Sequence, residues 1–404
     1  MPENTAPALR PKSGPGVHPG KPGSQSALRQ RNQQRILSAL ATGGPQTQAE
    51  LSRQTGLSSA TVSNIVREMN GNRLVITEPT TSSGRRALSV RLNDTGAVAV
   101  GIDIGRRHVR VVLASLGYRI LEEEAVPLPL GHCAEEGMDA AADLLAKLLN
   151  QAGVDRAAVL GAGVGIPGPI DRRTSTVVHG AILPEWVGIN IREALAERLG
   201  TTVHVDNDAN LGALAQVTWG PHRGTDNLVF VKVASGIGAG LIINGALFYG
   251  HLGITGEIGH ATVSEHGVIC RCGNRGCLET VASTSVMIEL LSRGADEPIQ
   301  TADIVERAAA RDPATLRIID DAGLAVGRAA ANVANTLNPE IIVLGGSLTG
   351  LGDTFLAPVR RGFIRHSVPL VGESTQVLMS SLGDRAEALG AAALVLGRHG
   401  ARLD

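Results

Sequence analysis

The sequence has few of the features expected of a membrane or secreted protein. It contains no run of about eighteen apolar residues, the length that marks a membrane-spanning helix. Its first residues carry no apolar signal core. Cysteine is scarce, with four in 404 residues, and three of these lie between positions 270 and 277. Because a secreted disulfide framework needs scattered cysteines, we expect a cytoplasmic protein with no membrane partner.

The charge is small overall but unevenly distributed. The formal net charge is −1, yet residues 1–92 hold 12 Lys and Arg against 4 Asp and Glu, and the rest of the chain holds 25 against 34. A basic N-terminal part favours a polyanionic partner. A solvated surface with a basic tail would give the same numbers, so charge alone does not decide. The length and a hydrophobic content of 43% predict two or three globular domains.

The character of the chain changes near position 27. Residues 1–26 are rich in Pro, Gly and Ser and have almost nothing apolar to bury, which predicts a disordered basic arm. Residues 27–93 contain three helical segments and then two strand-like runs, at 74–78 and 87–92, around TTSSGRR. This order predicts a winged helix-turn-helix DNA-binding domain.

Capping residues locate the second and third helices of this domain. Thr47 and Glu50 have the spacing of a capping box, which opens the second helix. Gly56 makes the turn, and Ser58 can cap the third helix. The third helix has an apolar stripe of Val62, Ile65, Val66 and Met69.

The opposite face of the third helix predicts contact with DNA. Short polar side chains near a helix start suit base edges in the major groove, and here they are Ser59, Thr61, Ser63, Asn64 and Arg67. Arg85 and Arg86, at the hairpin tip, could enter a minor groove or meet phosphates. A dimerisation or protein-binding module with a solvated helix is the alternative. The positive charge, the glycine turn and the arginine-tipped hairpin favour double-stranded DNA.

Residues 96–404 predict an α/β domain. Strand-like stretches such as VAVGIDIG, HVRVVLASLGYRI and AVLGAGVGIP alternate with helical stretches at 134–152 and 190–199. The pattern recurs with NLVFVKVASGIGAG, LIINGALFYG and EIIVLGGS as strands and with helices near 283–292, 301–335 and 384–396. Strand–turn–strand units with Asp/Gly turns in both halves indicate an internal duplication.

Three cysteines and a histidine form a candidate metal site. Cys270, Cys272 and Cys277 lie on a glycine-bent loop, and His260 precedes them. Three thiolates and an imidazole make a closed tetrahedral site, which predicts structural Zn²⁺ because no position remains for water. A redox pair fits the CxC spacing poorly, and free buried cysteines are the other alternative. The isolated Cys133 is predicted to be a small core residue.

These motifs resemble those of the ROK family, which groups sugar-responsive repressors and sugar kinases. The resemblance covers nearly the whole chain and is most specific in EIGH (257–260) followed by CRCGNRGCLE. GIPGP at 165–169, ILPEW at 182–186 and DNDAN at 206–210 are similar to further family segments, with Glu185 replacing a glycine. The resemblance implies a two-lobed actin-like/ribonuclease-H-like domain with a sugar pocket lined by Asn207, Asp208, Glu257, His260 and Glu279. Carboxylates and an amide suit sugar hydroxyls, although each residue alone could be a cap or a surface group.

The resemblance leaves two functions open, a sensor and an ATP-dependent cytoplasmic sugar kinase similar to glucokinase. The family's kinases use Asp at the position of Asp208 as a base and hold ATP phosphates on DxGGT and GTGIGGG loops. Here the two loops read DIGRR (103–107) and ASGIGAG (234–240), so glycines that admit phosphate to backbone N–H groups are partly replaced. We therefore expect no enzyme activity, with Asp208 as a vestigial base.

Taken together, these features predict a sugar-responsive DNA-binding transcriptional regulator, in particular a repressor of carbohydrate-utilisation genes. Its expected partners are double-stranded operator DNA and a small sugar or sugar derivative bound between the lobes. Because operators are commonly two-fold symmetric, we expect a homodimer or homotetramer.

Overall fold

The computed structural model describes residues 25–82, 85–171, 173–177, 183–293 and 298–398, with the backbone alone at 25–27, 82 and 85. Most of the predicted arm, residues 1–24, lies outside these ranges, and residues 25 and 26 begin the first helix. Ile182 of the ILPEW segment also lies outside them. Within the described ranges, no helix combines the length and the apolarity needed to cross a lipid bilayer.

The head consists of three helices and a small antiparallel sheet, as the sequence predicts for a winged helix-turn-helix. The helices are α1 (Gln25–Gly43), α2 (Gln48–Thr55) and α3 (Ser59–Gly71), and the sheet has the order β1-β3-β2, with β1 (Gln46–Thr47), β2 (Val75–Ser82) and β3 (Arg85–Leu92). The predicted caps are confirmed. Thr47 and Glu50 form a capping box at α2, and the Ser58 side chain accepts a hydrogen bond from the Thr61 N–H at α3.

The wing is longer than predicted. Its two strands extend to Ser82 and Arg85, which pair with each other, and Thr81 pairs with Arg86. The segment read as a loop therefore continues the ladder almost to the tip, because threonine and arginine side chains are readily accommodated on an exposed two-stranded ribbon.

The first lobe of the body is a five-stranded sheet with the order β10-β7-β4-β5-β6. The strands are β4 (Val98–Ile104), β5 (His108–Ser115), β6 (Ile120–Pro127), β7 (Val159–Ile166) and β10 (Val203–Asn207). Helices α4 (Ala134–Ala152) and α5 (Ile191–Leu199) pack on it, and a short ribbon joins β8 (Ile170–Asp171) to β9 (Thr176–Val177). Cys133 is exposed just before α4, so its predicted place in the core was wrong.

The second lobe is another five-stranded sheet, with the order β13-β12-β11-β14-β15. Its strands are β11 (Leu228–Val233), β12 (Ile237–Ile243), β13 (Ala246–Leu247), β14 (Ile341–Gly345) and β15 (Gln376–Met379). Its helices are α7 (Glu279–Ala282), α8 (Thr284–Ser292), α9 (Thr301–Ala309), α10 (Pro313–Leu337), α11 (Asp353–His366) and α12 (Pro369–Ser374).

Two of the predicted elements in this lobe were too long. The run 227–240 is a hairpin rather than one strand, because the chain turns at Ser235 and Gly236. The predicted helix 301–335 is two helices. Arg311 takes a left-handed conformation with φ 63°, and Asp312 then caps α10.

The two sheets have the same topology, which agrees with the predicted duplication. In each sheet the first three strands form an antiparallel meander, the fourth strand pairs in parallel with the first, and the fifth pairs in parallel with the fourth. Two halves of one chain that repeat this order give the two-lobed body, with a cleft between the lobes.

Two helices lie between the sheets and hold the lobes together. Helix α6 (Asp208–Thr218) follows β10 but packs on β11 and β12, whereas α13 (Ala386–Arg398) packs on β4, β5 and β7. Helices α6 and α13 also pack on each other. The contact with the first sheet is so close that a Cβ atom at Gly163 would clash with the Ala391 carbonyl oxygen.

The head is packed against the body. Its core residues, among them Ile36 and Val90, share one hydrophobic cluster with the last turns of α13 at Ala392, Val395 and Leu396. Because this contact is apolar and buried, a displacement of α13 changes the packing under the head.

We expect Gly163→Ala to lower the melting temperature, because the added methyl group cannot fit between β7 and α13 without a backbone shift. Overpacking costs about 1–3 kcal/mol, and each kcal/mol corresponds to about 2–4 °C in a unit of about 150–250 residues, which is closer to the size of one lobe than to that of the whole chain. Calorimetry on purified protein measures the change. Gly397→Ala is the matched control, because a Cβ atom at Gly397 meets nothing within 4 Å. Equal melting temperatures for both variants would contradict the close packing.

Candidate functional site

The outer face of α3 is available for contact with another molecule. Val62, Ile65, Val66 and Met69 are buried, as predicted, so the helix is held by that stripe. On the other side Ser59, Asn64 and Arg67 are exposed, and Arg67 donates a hydrogen bond of 3.2 Å to Asn64. Thr61 and Ser63 are half-buried, and the Thr61 hydroxyl lies 2.8 Å from that of Ser58. The helix start is therefore partly engaged in its own cap.

A groove separates the wing from the start of α2. It is lined by Gln48 and Ala49 on the helix and by Thr80, Thr81 and Arg86 on the wing. Arg86 is exposed, and the side chain of Arg85 lies outside the described residues. A helix N-terminus beside an arginine is a favourable environment for a phosphate group.

The four predicted metal ligands converge in the second lobe. The ligand atoms of His260, Cys270, Cys272 and Cys277 all lie within 4.8 Å of one another. The Cys272 and Cys277 sulfurs are 3.7 Å apart, and Cys270 Sγ is 3.6 Å from His260 Nδ1. Metal–thiolate bonds of about 2.3 Å in a tetrahedron place sulfurs about 3.8 Å apart, so the group has the dimensions of a tetrahedral metal site.

His260 connects this cluster to the cleft between the lobes. Its Nδ1 atom faces the cysteines, whereas Nε2 lies 3.8 Å from Glu257 Oε2 on the cleft side. A metal-bound histidine whose other nitrogen meets a carboxylate is a common arrangement that fixes the ring.

The cleft is a cavity of about 900 Å³, and all five predicted sugar-binding residues line it: Asn207, Asp208, Glu257, His260 and Glu279. They come from three places in the chain: the junction of β10 and α6, the loop before the three clustered cysteines, and the start of α7. Only the tertiary fold brings them together.

Asn207 and Asp208 are fixed by the strand-to-helix turn. The Asn207 side chain caps α6 by accepting from the Ala209 N–H at 2.9 Å, and it donates to the Gly168 carbonyl at 3.0 Å. The preceding Asp206 is buried and accepts a hydrogen bond of 2.7 Å from the Tyr249 hydroxyl. Hydrogen bonds that join Asn207 to Gly168 and α6, and Tyr249 to Asp206, therefore fix the DNDAN motif where it enters the cleft.

Glu257 and Glu279 differ in their surroundings. Burial, together with the charges of Asp208 and Glu279, raises the pKa of Glu257 to about 7. Glu279 is buried, accepts a hydrogen bond from the Ile237 N–H at 3.1 Å and pairs with Arg271 at 2.6 Å. Arg271 lies between two of the cysteines in sequence, so the metal loop also positions this carboxylate.

The sequence reasoning missed several charged residues of the cleft. Lys232 on β11 lies 2.8 Å from Asp208 Oδ2 and 3.0 Å from Glu387 Oε1 on α13. His108 lies 2.8 Å from Asp103, and this pairing raises the pKa of the imidazole even though burial opposes it. The signal for Lys232 in the sequence was weak, since it is one of few lysines in the chain and lies inside a strand of otherwise apolar residues.

The two arginines of the DIGRR turn also line the cleft. Arg107 is exposed and donates to Gln300 of the other lobe at 2.8 Å. Arg106 is half-buried, and burial, together with Arg271 and Arg107 nearby, lowers its pKa. Guanidinium groups therefore occupy the side of the cleft where the resemblance to the family's kinases implies a phosphate-binding loop.

A winged helix-turn-helix head packed on a two-lobed actin-like body with an interlobe cleft defines the class of a DNA-binding regulator with a kinase-like domain. Residues 99–398 match the ROK family, and residues 30–86 match the MarR family. The chain belongs to the ROK family.

Transcriptional regulators and sugar kinases are both found among the similar proteins. The xylose repressor of Bacillus subtilis strain 168 is 30% identical over 374 residues, which cover 92% of this chain and 96% of that protein. A crystal structure of a ROK family transcriptional regulator, a homolog of the E. coli MLC protein, has a TM-score of 0.76 at 25% identity and covers 93% and 98% of the two chains. The ROK family glucokinase from Streptomyces griseus, in complex with glucose and AMPPNP, has a TM-score of 0.67 at 28% identity and covers 74% of this chain and 99% of its own.

We expect Cys277→Ser to release bound metal and to lower the melting temperature, because the buried sulfur is one of four converging ligands. Elemental analysis should find one equivalent per chain in the parent protein and less than half of that in the variant. Cys133→Ser, at the exposed cysteine outside the cluster, is the control and should keep the full equivalent. A metal-free parent protein whose clustered cysteines react freely with an alkylating reagent would contradict the site.

Proposed function

We propose that the chain is a sugar-responsive DNA-binding transcriptional regulator that represses carbohydrate-utilisation genes. One observation carries the proposal: α13 begins in the cleft, and its last turns share one hydrophobic cluster with core residues of the head. A ligand that changes the position of the lobes therefore acts on the same helix that supports the DNA-binding domain. The similarity to the xylose repressor over 92% of the chain supports this assignment.

The DNA-binding role rests on α3 and the wing. We propose that Ser59, Thr61, Ser63, Asn64 and Arg67 face the major groove of double-stranded operator DNA, with Arg85 and Arg86 on the adjacent backbone or minor groove. The buried stripe of α3 leaves that face outward, and the groove beside α2 suits a phosphate. A two-fold operator would be bound by a homodimer, or by two of the DNA-binding heads of a homotetramer.

The effector is proposed to be a small sugar or a sugar derivative. Asn207, Asp208, Glu257, His260 and Glu279 offer carboxylate, amide and imidazole groups around one cavity, which is the donor and acceptor set that a ring of hydroxyls requires. The glucose complex of the S. griseus glucokinase shows a sugar in a fold of this kind. These residues are thus candidates for sugar contacts in this chain.

The metal is proposed to be structural Zn²⁺. Three thiolates and one imidazole at tetrahedral spacing form the ligand set that zinc prefers, and a closed set leaves no site for a reactive water. The ion would brace the loop that carries His260 and, through Arg271, would also help to hold Glu279.

Regulation requires that the sugar bind two states of the protein with different affinity, because a ligand that binds both equally shifts nothing. Closure of the lobes on a sugar would move the second sheet and, through the ion pair between Lys232 and Glu387, would shift α13 together with the first sheet on which it packs. The far end of the helix would then alter the packing under the head. Operator affinity changes by the ratio of the sugar affinities for the two states.

An ATP-dependent sugar kinase is the second candidate, because Asp208 is present in the cleft and a glucokinase shares the fold. We infer that phosphoryl transfer is absent. A phosphate cradle needs glycine so that backbone N–H groups can approach the phosphate. Here Arg106 and Arg107 of the DIGRR turn line the cleft, at positions where the resemblance to the family's kinases implies glycine and threonine.

We expect Arg86→Ala to weaken DNA binding for all sequences alike and to reduce the salt dependence, because its proposed contact is a phosphate. The slope of log K against log salt should fall by about 1. Fluorescence anisotropy on an operator selected from random duplexes measures both effects. Arg365→Ala, an exposed arginine on α11, should change neither. An unchanged slope for Arg86→Ala would remove the phosphate role.

We expect a sugar to raise the melting temperature and to change operator affinity, and Asp208→Asn to abolish both responses. A thermal-shift screen over D-xylose, D-glucose and related sugars finds the effector, and anisotropy with and without it measures the response. Glu197→Gln, an exposed carboxylate on α5, is the control. ADP release with ATP and a sugar, lost in Asp208→Asn, would instead establish the kinase.

A further inference from the structure

A group of buried charges lies at the base of the cleft around Lys232. The lysine side chain is 15% exposed, and its Nζ atom lies 2.8 Å from Asp208 Oδ2. It also forms an ion pair of 3.0 Å with Glu387 Oε1. Asp103 is a third buried carboxylate nearby, and it is paired with His108.

The three carboxylates come from three different elements. Asp103 lies at the end of β4, Asp208 at the start of α6 and Glu387 at the start of α13. Lys232 contacts Asp208 and Glu387 from the central strand of the second lobe, and Asp103 lines the same cavity. The ammonium group is therefore the point at which the second sheet meets the end of the first sheet. An exposed ion pair contributes little to stability, but removing one partner of a buried pair is strongly destabilising.

The oxygens of this cluster are not all satisfied by the lysine. Among the described residues, Asp103 Oδ1 is buried and has no hydrogen-bond donor, and the buried Glu387 Oε1 has only the Lys232 ammonium as its partner. Converging carboxylates with unsatisfied oxygens form the donor set that Mg²⁺ or Mn²⁺ takes in proteins. The ammonium of lysine is a compact point charge with three donors, so it can occupy such a position in place of a metal.

We propose that Lys232 is a resident cation, which takes the place of a divalent metal ion among Asp103, Asp208 and Glu387. It keeps Asp208 ion-paired, so that this carboxylate serves as a fixed hydrogen-bond acceptor in the cleft. It also ties the second lobe to the first. The inference concerns the cation position itself and stands whether or not a sugar is the effector.

The protonation state agrees with this role. Burial by itself would lower the pKa of Lys232, but Asp208, Glu387 and Asp103 outweigh it, so the pKa lies above its ordinary value. Burial raises the pKa of Glu387, while Lys232 opposes that rise. His108 and Arg110 on β5 are the other basic groups facing Asp103, and they lower its pKa although burial opposes them.

The test replaces Lys232 with methionine, which keeps the length of the side chain and removes the charge. Loss of one partner from a buried ion pair should lower the melting temperature by about 10 °C. In Lys232→Met, MnCl₂ should restore stability in a concentration-dependent way, and electron paramagnetic resonance should show one bound Mn²⁺ per chain. One equivalent of ZnCl₂ is present throughout to keep the cysteine site filled.

The controls separate this role from general damage. Lys147→Met removes an exposed lysine that pairs with Glu124 at 2.6 Å, and it should show no binding of Mn²⁺. The parent protein should also show none. The double variant Lys232→Met with Asp208→Asn should lose the Mn²⁺ signal, because it lacks one of the three carboxylates.

A further double variant keeps the idea testable if Lys232→Met does not fold. Lys232→Met with Glu387→Gln removes one charge of each sign, so it should recover most of the lost melting temperature, whereas a purely steric role predicts no recovery. The proposal is overturned by a failure of this rescue, by a folded Lys232→Met protein that ignores Mn²⁺, or by Mn²⁺ binding at the cleft of the parent protein. Neither sugar nor DNA enters these measurements, so they fail independently of the regulator proposal.

Discussion

The position of α13, which extends from the cleft to the hydrophobic cluster shared with the head, is the constraint on which the rest of the structure depends. The helix follows the strands of the second lobe in the chain, yet it packs on the first sheet, and its last turns share a hydrophobic cluster with core residues of the head. Glycines on β4 and β7 allow α13 to pack so closely on the first sheet that no space remains for an added Cβ atom. Close-packed interfaces of this kind move as rigid units, so the cleft, the two lobes and the head cannot be rearranged independently.

Three carboxylates in or beside the cleft are already paired within the protein, and this pairing explains how they can recognise a ligand. Asp206, Asp208 and Glu279 already have partners within the protein, namely Tyr249, Lys232 and Arg271. Carboxylates held in this way keep a fixed direction and need little reorganisation when a ligand arrives. They suit recognition of hydroxyl groups. The arginines of the DIGRR turn line the cleft where a phosphate cradle would need glycine, which is why we favour a sensor over an enzyme.

Much of the local structure could be predicted because it depends on neighbours in the sequence. The caps at Thr47 and Ser58 and the buried stripe of α3 follow from short-range hydrogen bonds and helical periodicity. The metal cluster was accessible for the same reason, since CRCGNRGC places three sulfurs on one short loop. The errors arose where a short signal was lost within a longer pattern. The turn at Ser235 and Gly236 and the break at Arg311 each interrupt a stretch that otherwise has one character.

The sequence by itself predicted the domain order, the winged head and the metal ligands from local patterns, and it predicted the motif residues of the cleft from their resemblance to the ROK family. Only the tertiary structure decided which charges meet. Lys232, Glu387 and Asp103 are distant in sequence, and no periodic pattern links them, so their convergence depends on how two sheets and two helices pack. The path from the cleft to the head along α13 was hidden for the same reason, since a hydrophobic cluster that joins the head to the last turns of α13 leaves no local trace in the sequence.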